Sequence, residues 1–207
     1  MSAPVYRWLG LSLLIAALSG CTVLPAPSPQ DVYRLPPSTL SAADQGSVDQ
    51  SLSILRPRAS GALGSARIVV IPQDHRISAY GGSRWSATAP VLWRDYLLDA
   101  FRKDGHIDRL SGDNEDVRTD WELGGVLRSF HTEYREGEPH VVIEFDARLV
   151  DARSRQIAAS RHFSVVQAVE GEQVPQVVEA FGRAADTMAR QITDWTVQQL
   201  ASAGTRG

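Results

Sequence analysis

From Val141 to Leu149 every second residue is apolar (Val141, Ile143, Phe145, Ala147, Leu149), with Glu144, Asp146 and Arg148 between them. Strict alternation is the period of a strand with one buried and one wet face. The same period runs from Trp121 through Leu123 to Leu127. Its phase changes near Gly124-Gly125, where a bulge or bend is expected, and Phe130 and Tyr134 carry it on. Ile157, Ala159, Phe163 and Val165 continue it after a turn at Asp151 to Arg155, with Arg161 interrupting. These segments predict a three-strand antiparallel meander. Two other stretches have the helical period. Trp93, Tyr96, Leu97, Ala100 and Phe101 come after Pro90, which suits a first helical turn, and Gly105 is placed to stop the chain in a left-handed cap. The helix is expected from Pro90 to about Asp104. Val177, Phe181, Ala184, Ala185, Met188, Ile192 and Trp195 predict a longer one, from near Pro175 to about Leu200. Arg183, Asp186, Arg190, Gln191 and Asp194 take its polar face.

Earlier in the chain the pattern is broken into short runs. Val32 to Leu35 and Leu52 to Leu55 read as short strands, stopped by Pro36-Pro37 and Pro57. Ser38 to Gln50 is polar, small and aperiodic, so it reads as a loop. Gly61 to Ser65 reads as a turn. Ile68-Val69-Val70-Ile71 is a continuous β-branched run, as in a strand covered on both faces. Gln73 to His75 would turn it into a hairpin with Ile77 to Tyr80. Strands, helix, meander, helix make an α+β domain: a mostly antiparallel or mixed sheet with two amphipathic helices.

The first residues obey a different pattern. Arg7 precedes the almost wholly apolar run Leu9 to Leu18, too short for a spanning helix, which needs ~20 residues, but suited to a secretory signal. Leu18-Ser19-Gly20-Cys21 closes this segment, and Cys21 is the sole cysteine. The tetrapeptide resembles a bacterial lipobox, which implies acylation of Cys21 (palmitate among the chains) and its exposure as the first mature residue. Thr22 rather than an aspartate comes after Cys21, which by analogy with Gram-negative lipoproteins implies the periplasmic face of the outer membrane rather than the inner membrane. Pro25, Pro27 and Pro29 make a stiff spacer. The expected organisation is a signal at 1–20, a Pro-rich tether at 21–30, one domain at 31–202 and a loose tail at 203–207.

Composition narrows the partners. Hydrophobic content of 43% and charged content of 22% are ordinary for a globular chain. The formal net charge of −3 becomes −4 when Arg7 leaves with the signal. Nucleic acid, which needs a basic face, is not an expected partner, nor is electrostatic docking on anionic lipid. With Cys21 acylated, no disulfide is available.

Catalytic constellations are missing from the sequence. It contains no His-Glu-x-x-His, Gly-x-Ser-x-Gly, phosphate-binding loop or Gly-x-Gly-x-x-Gly. His75, His106, His131, His140 and His162 lack metal-ligand spacing. The latter three fall on meander strands, where a proton relay or weak metal site competes with a plain solvated face, and the solvated face is favoured. Asp113, Asn114, Glu115 and Asp116 lack the alternate-ligand spacing of a calcium loop and read as a solvated loop. Glu133, Glu136 and Glu138 flank an exposed turn. Tyr80-Gly81-Gly82-Ser83-Arg84-Trp85 is more suggestive. Glycines before Arg and Trp can present an aromatic anchor on a loop, although Tyr80 and Trp85 could instead pack the strand-to-helix junction.

At this segment the chain resembles the ABC-type transport auxiliary lipoproteins, PqiC-like proteins among them. The elements in order are the lipobox, Tyr33-Arg34-Leu35, Leu52 to Pro57, Ala66 to Ile71, Tyr80, Arg84-Trp85 and Pro90 with its helix. Gly81-Gly82 departs from the bulkier residues of many relatives. The resemblance implies a non-catalytic periplasmic component of an Mce-type lipid transport system. It would dock the conduit at the outer membrane and partner an Mce-domain (PqiB-like) protein with its ABC permease and ATPase. No cofactor is expected beyond the covalent lipid on Cys21. Tyr80, Arg84 and Trp85 become the expected partner interface, together with an edge strand of the meander. A ring or other homo-oligomer would suit a conduit. The competing readings are a structural or assembly lipoprotein serving an outer-membrane protein and, least favoured, a tethered hydrolase using Ser129 with His131 or Ser160 with His162.

Overall fold

The longest strand of the sheet is a branch point. In the computed structural model, which describes residues 29–42, 46–59, 61–73 and 75–204, eight strands and two α-helices run in the order β1 (Asp31–Tyr33), β2 (Ser51–Ile54), β3 (Arg67–Ile71), β4 (Ser78–Trp85), α1 (Ala89–Asp104), β5 (Arg109–Gly112), β6 (Trp121–Arg135), β7 (Glu138–Asp151), β8 (Ile157–Ala168) and α2 (Val174–Gly204). A single 3-10 turn covers Gly61–Gly64. One edge of β6 pairs with β7 along its whole length, and β7 pairs with β8. The other edge forks. Its start runs parallel to β2, which pairs with β5. Its end runs parallel to β3, which pairs with β4 and through it with β1. Arg58 bridges the fork at Val126. The fold is α+β with a mixed sheet, as expected, and the sheet is open.

Both helices pack on one face. Val141, Ile143, Phe145, Ala147 and Leu149 are all buried to 1% exposure or less, so the alternation in β7 is the core-facing period it promised. Trp93 of α1 meets Phe145 edge-on at 6.0 Å, and Trp195 of α2 meets Phe163 of β8 at 5.8 Å. The start of α1 obeys its sequence signals: Thr88 stands at the N-cap in extended conformation with proline in the first turn. Gly105 ends it at φ 78°, its N–H donating to the Phe101 carbonyl. Residues 136 and 137 of the β6–β7 hairpin both have positive φ (Glu136 53°, Gly137 87°), the two-residue turn whose twist suits adjoining strands.

Several expectations are corrected. The bulge in β6 lies at Arg128, between Leu127 and Ser129, not at Gly124-Gly125. It resets the phase, so Leu127 and Phe130 both face the core at 1% exposure. Gly125 has another function: a Cβ there would stand 1.9 Å from the Asp146 carbonyl oxygen of β7. Tyr134 lies beyond the reset, on the rim, and is exposed. Ile157 is exposed as well, because β8 carries a second register shift opposite Leu149 and Val150. Ser38 to Leu40 have no regular element, as a loop should, but Ser38 and Leu40 are buried. Arg109–Gly112 forms a strand the hydrophobic pattern did not announce.

Candidate functional site

Tyr80 to Trp85 belong to β4, and the strand is distorted where they lie. Arg67 of β3 stands opposite Arg84, yet Val69 stands opposite Ala79. The residues from Tyr80 to Ser83 therefore bulge opposite the single residue Ile68, with Gly81 and Gly82 exposed and Ser83 buried. Gly82 supports the bulge with φ 66°, and a Cβ at Gly81 or Gly82 would meet nothing within 4 Å. A bulge of small residues puts backbone polar groups at the surface and re-aims the side chains beyond it.

Trp85, at the end of the bulge, points inward. Its ring has no exposed surface. It packs edge-on against Phe181 of α2 at 5.2 Å and against Phe130 of β6 at 6.0 Å. Its backbone N–H donates to the Ala66 carbonyl at 2.7 Å, and Ser86 N–H donates to the Tyr33 carbonyl at 2.7 Å. Trp85 is thus the peg that fixes the bulge and not a side chain offered to a partner. The anchor reading fails at this residue because pairing with β1 and β3 on both sides makes it a strand, whose alternation turns Trp85 to the core. Arg84, one residue earlier, faces outward and is exposed. Tyr80 is half-buried; burial pushes its hydroxyl's pKa up, opposed by the neighbouring Thr132 hydroxyl. Of the three expected interface residues, Arg84 is presented to solvent, Tyr80 partly so, and Trp85 not at all. Cys21, the expected lipid attachment site, lies outside the described residues.

The outer face of the meander collects the histidines. His162 Nδ1 lies 2.7 Å from Asp146, which Arg128 also contacts. The His162 hydrogen bond is the main cause holding the Asp146 carboxyl below the ordinary range; slight burial opposes it and Arg128 adds to it. His131 lies 3.4 Å from Glu133, whose other oxygen accepts from Arg135 at 2.7 Å. Ser129 donates to Glu144 at 2.6 Å and not to His131, so the Ser129–His131 pair is not coupled. Among the described residues, no group of three or more His, Cys, Asp or Glu side chains could hold a metal ion. Asp113, from the acidic run, is committed to Arg94 at 2.6 Å and to Arg56 N–H at 3.1 Å. A half-open cleft of about 770 Å3 lies at this end, lined in part by Ser53, Asp113, Asp120 and Glu122. Its carboxylates are occupied: Asp120 accepts from Ser51, and Glu122 from Arg155.

One residue of the polar face has a role that the sequence does not announce. Asp186, on the polar side of α2, accepts from Ser38 Oγ (3.0 Å), Thr39 N–H (2.9 Å), Thr39 Oγ1 (2.6 Å) and Tyr96 Oη (2.6 Å). Asp99 accepts from Ser38 N–H, and Lys103 reaches the Ser38 carbonyl. Pro36 crosses α2 at Gly182, where a Cβ would stand 2.8 Å from Pro36 Cγ. The segment after β1 is therefore a strap clasped across both helices. Its short polar residues carry no periodic signal, and the partners lie 147 residues apart.

The molecule is thus an α+β fold with an open, mixed sheet and a pinned bulge in β4. Among the described residues, no helix is long and apolar enough to cross a membrane. A family model described as the ABC-type transport auxiliary lipoprotein component matches residues 33–193, and the chain belongs to that family. The matched span includes Tyr33, Tyr80, Arg84, Trp85 and Pro90. The fold is shared with a DUF330 protein from Xanthomonas campestris, at 23% identity over 84% of this chain and 98% of the other, with a TM-score of 0.78. A second solved protein, described only as uncharacterized, is 14% identical over 81% of this chain and 99% of its own, with a TM-score of 0.65. Both likenesses are of fold alone. Among curated proteins, none matches the chain.

Proposed function

We propose that this chain is a lipid-anchored, non-catalytic auxiliary component that docks an Mce-type lipid conduit at the periplasmic face of the outer membrane. Membership of the transport auxiliary family carries the proposal. The docking surface is the bulge of β4 with Arg84 at its rim, and the free edge of β8. Among the described residues β8 pairs only with β7 along its twelve residues, so its outer backbone groups can accept an added strand. Arg161 on that strand, stacked 5.0 Å over Phe163, keeps a charge on the inner side and discourages indiscriminate pairing. ATP hydrolysis and lipid carriage belong to other chains.

The test is photo-crosslinking in intact envelopes, with the photoreactive residue at Arg84 and, separately, at Ser160 of β8. Trp85 is unsuitable because it is buried. A Cys21→Ala form serves as the unanchored control. Capture of an Mce-domain protein by the anchored form supports the proposal. Capture of an outer-membrane barrel or its assembly factors alone replaces it with an assembly role.

A further inference from the structure

Two hairpin tips lie side by side at one end of the sheet. Val70 and Ile71 pair with Thr132 and Glu133, so the turn after β3 and the turn after β6 project from the same end. Ile77 on the first is 61% exposed and Tyr134 at the second 38%. The fold has no use for these side chains in its core. An exposed aliphatic on one tip and an exposed tyrosine on the neighbouring one suit a boundary between water and an apolar phase.

The chain enters the domain from that end. β4 runs away from the tips, since Ser78 pairs with Val70 and Arg84 with Arg67. β1 is parallel to β4, with Asp31 beside Ser83. Residues before Asp31 therefore arrive from the tip side. Asp31 sits level with Ile68, and the turn near His75 lies some seven residues further on, about 23 Å at ~3.3 Å per residue. The ten residues 21–30 span at most about 35 Å when fully extended. With Cys21 at the bilayer surface, the tips are then within about 12 Å of it, and any slack in the tether closes the gap. The opposite end, with Ile157 and Val117 exposed, would require the tether to reverse at Asp31 and run back along the domain.

We propose that the β3–β4 and β6–β7 hairpin tips are a second membrane contact, with Ile77 and Tyr134 seated in the interface of a neutral bilayer. The inference rests on acylation of Cys21. The contact is apolar and not electrostatic: Arg76 and Arg135 are outnumbered near the tips by Glu133, Glu136 and Glu138. Two side chains cannot hold a domain on a membrane alone. Behind an acyl anchor they do not have to, because the tether supplies the local concentration. The consequence is a fixed orientation, with the tips down and the end bearing Trp121 and Asp151 pointing away from the membrane.

Acylation consumes the sole cysteine, so an engineered thiol is unique in the mature lipoprotein. The lipidated full chain is reconstituted in phosphatidylcholine vesicles as Ile77→Cys, Tyr134→Cys or Ile157→Cys, each carrying an environment-sensitive fluorophore. Quenching by nitroxide lipid at 77 and 134 is expected to exceed that at 157 several-fold and to persist in high salt, which screens charge contacts. Protein that floats with the vesicles but quenches equally at the three positions, or at none, overturns the membrane contact and leaves the anchor standing. Protein that does not float overturns the anchor, and the contact with it.

Discussion

Replacing Asp186 by alanine removes one carboxylate and orphans the donors that hold the strap. Two of its hydrogen bonds, from Ser38 Oγ and Tyr96 Oη, are partly buried, and the two from Thr39 are exposed. Hydrogen bonds to a charged group contribute ~1.5–3 kcal/mol and exposed ones about 0.5. Because one side chain makes all of them, the bonds do not sum fully, and a net loss of about 3 kcal/mol is expected at pH 7. For a domain of this size that is ~6–12 °C in melting temperature. Burial raises the Asp186 pKa, but the hydrogen bonds from Thr39, Tyr96 and Ser38 outweigh it and hold it below the ordinary value. The charge-linked part of the stabilisation is therefore complete above the unfolded value of ~3.9 and fades as pH falls through the folded one. Urea unfolding of the wild type and Asp186→Ala at pH 7 and pH 3 measures both effects. Amide exchange at Thr39 reports the strap directly. A loss under about 1 kcal/mol at pH 7, or a loss that does not narrow at pH 3, refutes the clasp.

Trp85→Ala is expected to cost ~3–5 kcal/mol, the usual result of emptying a large buried site, seen as an earlier thermal transition; an unchanged transition would contradict its role as the peg. Arg84→Ala should leave the melting temperature unchanged while lowering crosslinking yield from β8 to the partner, and equal yields would remove the bulge from the interface. Gly125→Ala should destabilise by at least ~3 kcal/mol, since its Cβ would collide with a backbone oxygen at 1.9 Å in a conformation with φ 147°; circular dichroism melts measure this, and a neutral result would mean that β6 and β7 can part locally.

Elements whose signals are local were legible in the sequence. The first helix could be bounded from Pro90 and Gly105 because caps are written within a few residues of the ends they make. β7 was legible because one face is buried along its whole length. The bulge in β6 was misplaced because glycine is the visible mark of irregularity, whereas the register shift falls at Arg128, an ordinary side chain whose exposure costs nothing. Trp85 could not be assigned from its neighbours. Gly-Gly before Arg-Trp reads as a loop until β1 and β3 are known to flank it, and both pairings come from elsewhere in the chain. The clasp at Asp186 is the extreme case. An aspartate on the polar face of an amphipathic helix looks solvated, and only the return of Ser38 and Thr39 over that face shows otherwise.

The direction of β1 determines how the domain answers tension. A pull on the N-terminal tether acts along the axis of β1, and β1 lies parallel to β4. Its hydrogen bonds are then loaded together, in shear, and do not unzip one at a time. Behind them the same pull next meets Pro36 against Gly182 and the Asp186 clasp. An envelope that stretches between the bilayer and a docked partner would thus meet two catches in series before the core sheet feels the load. Pulled mechanically from residue 21, the domain should yield first at β1, then at the clasp, each step releasing a short and countable length of chain.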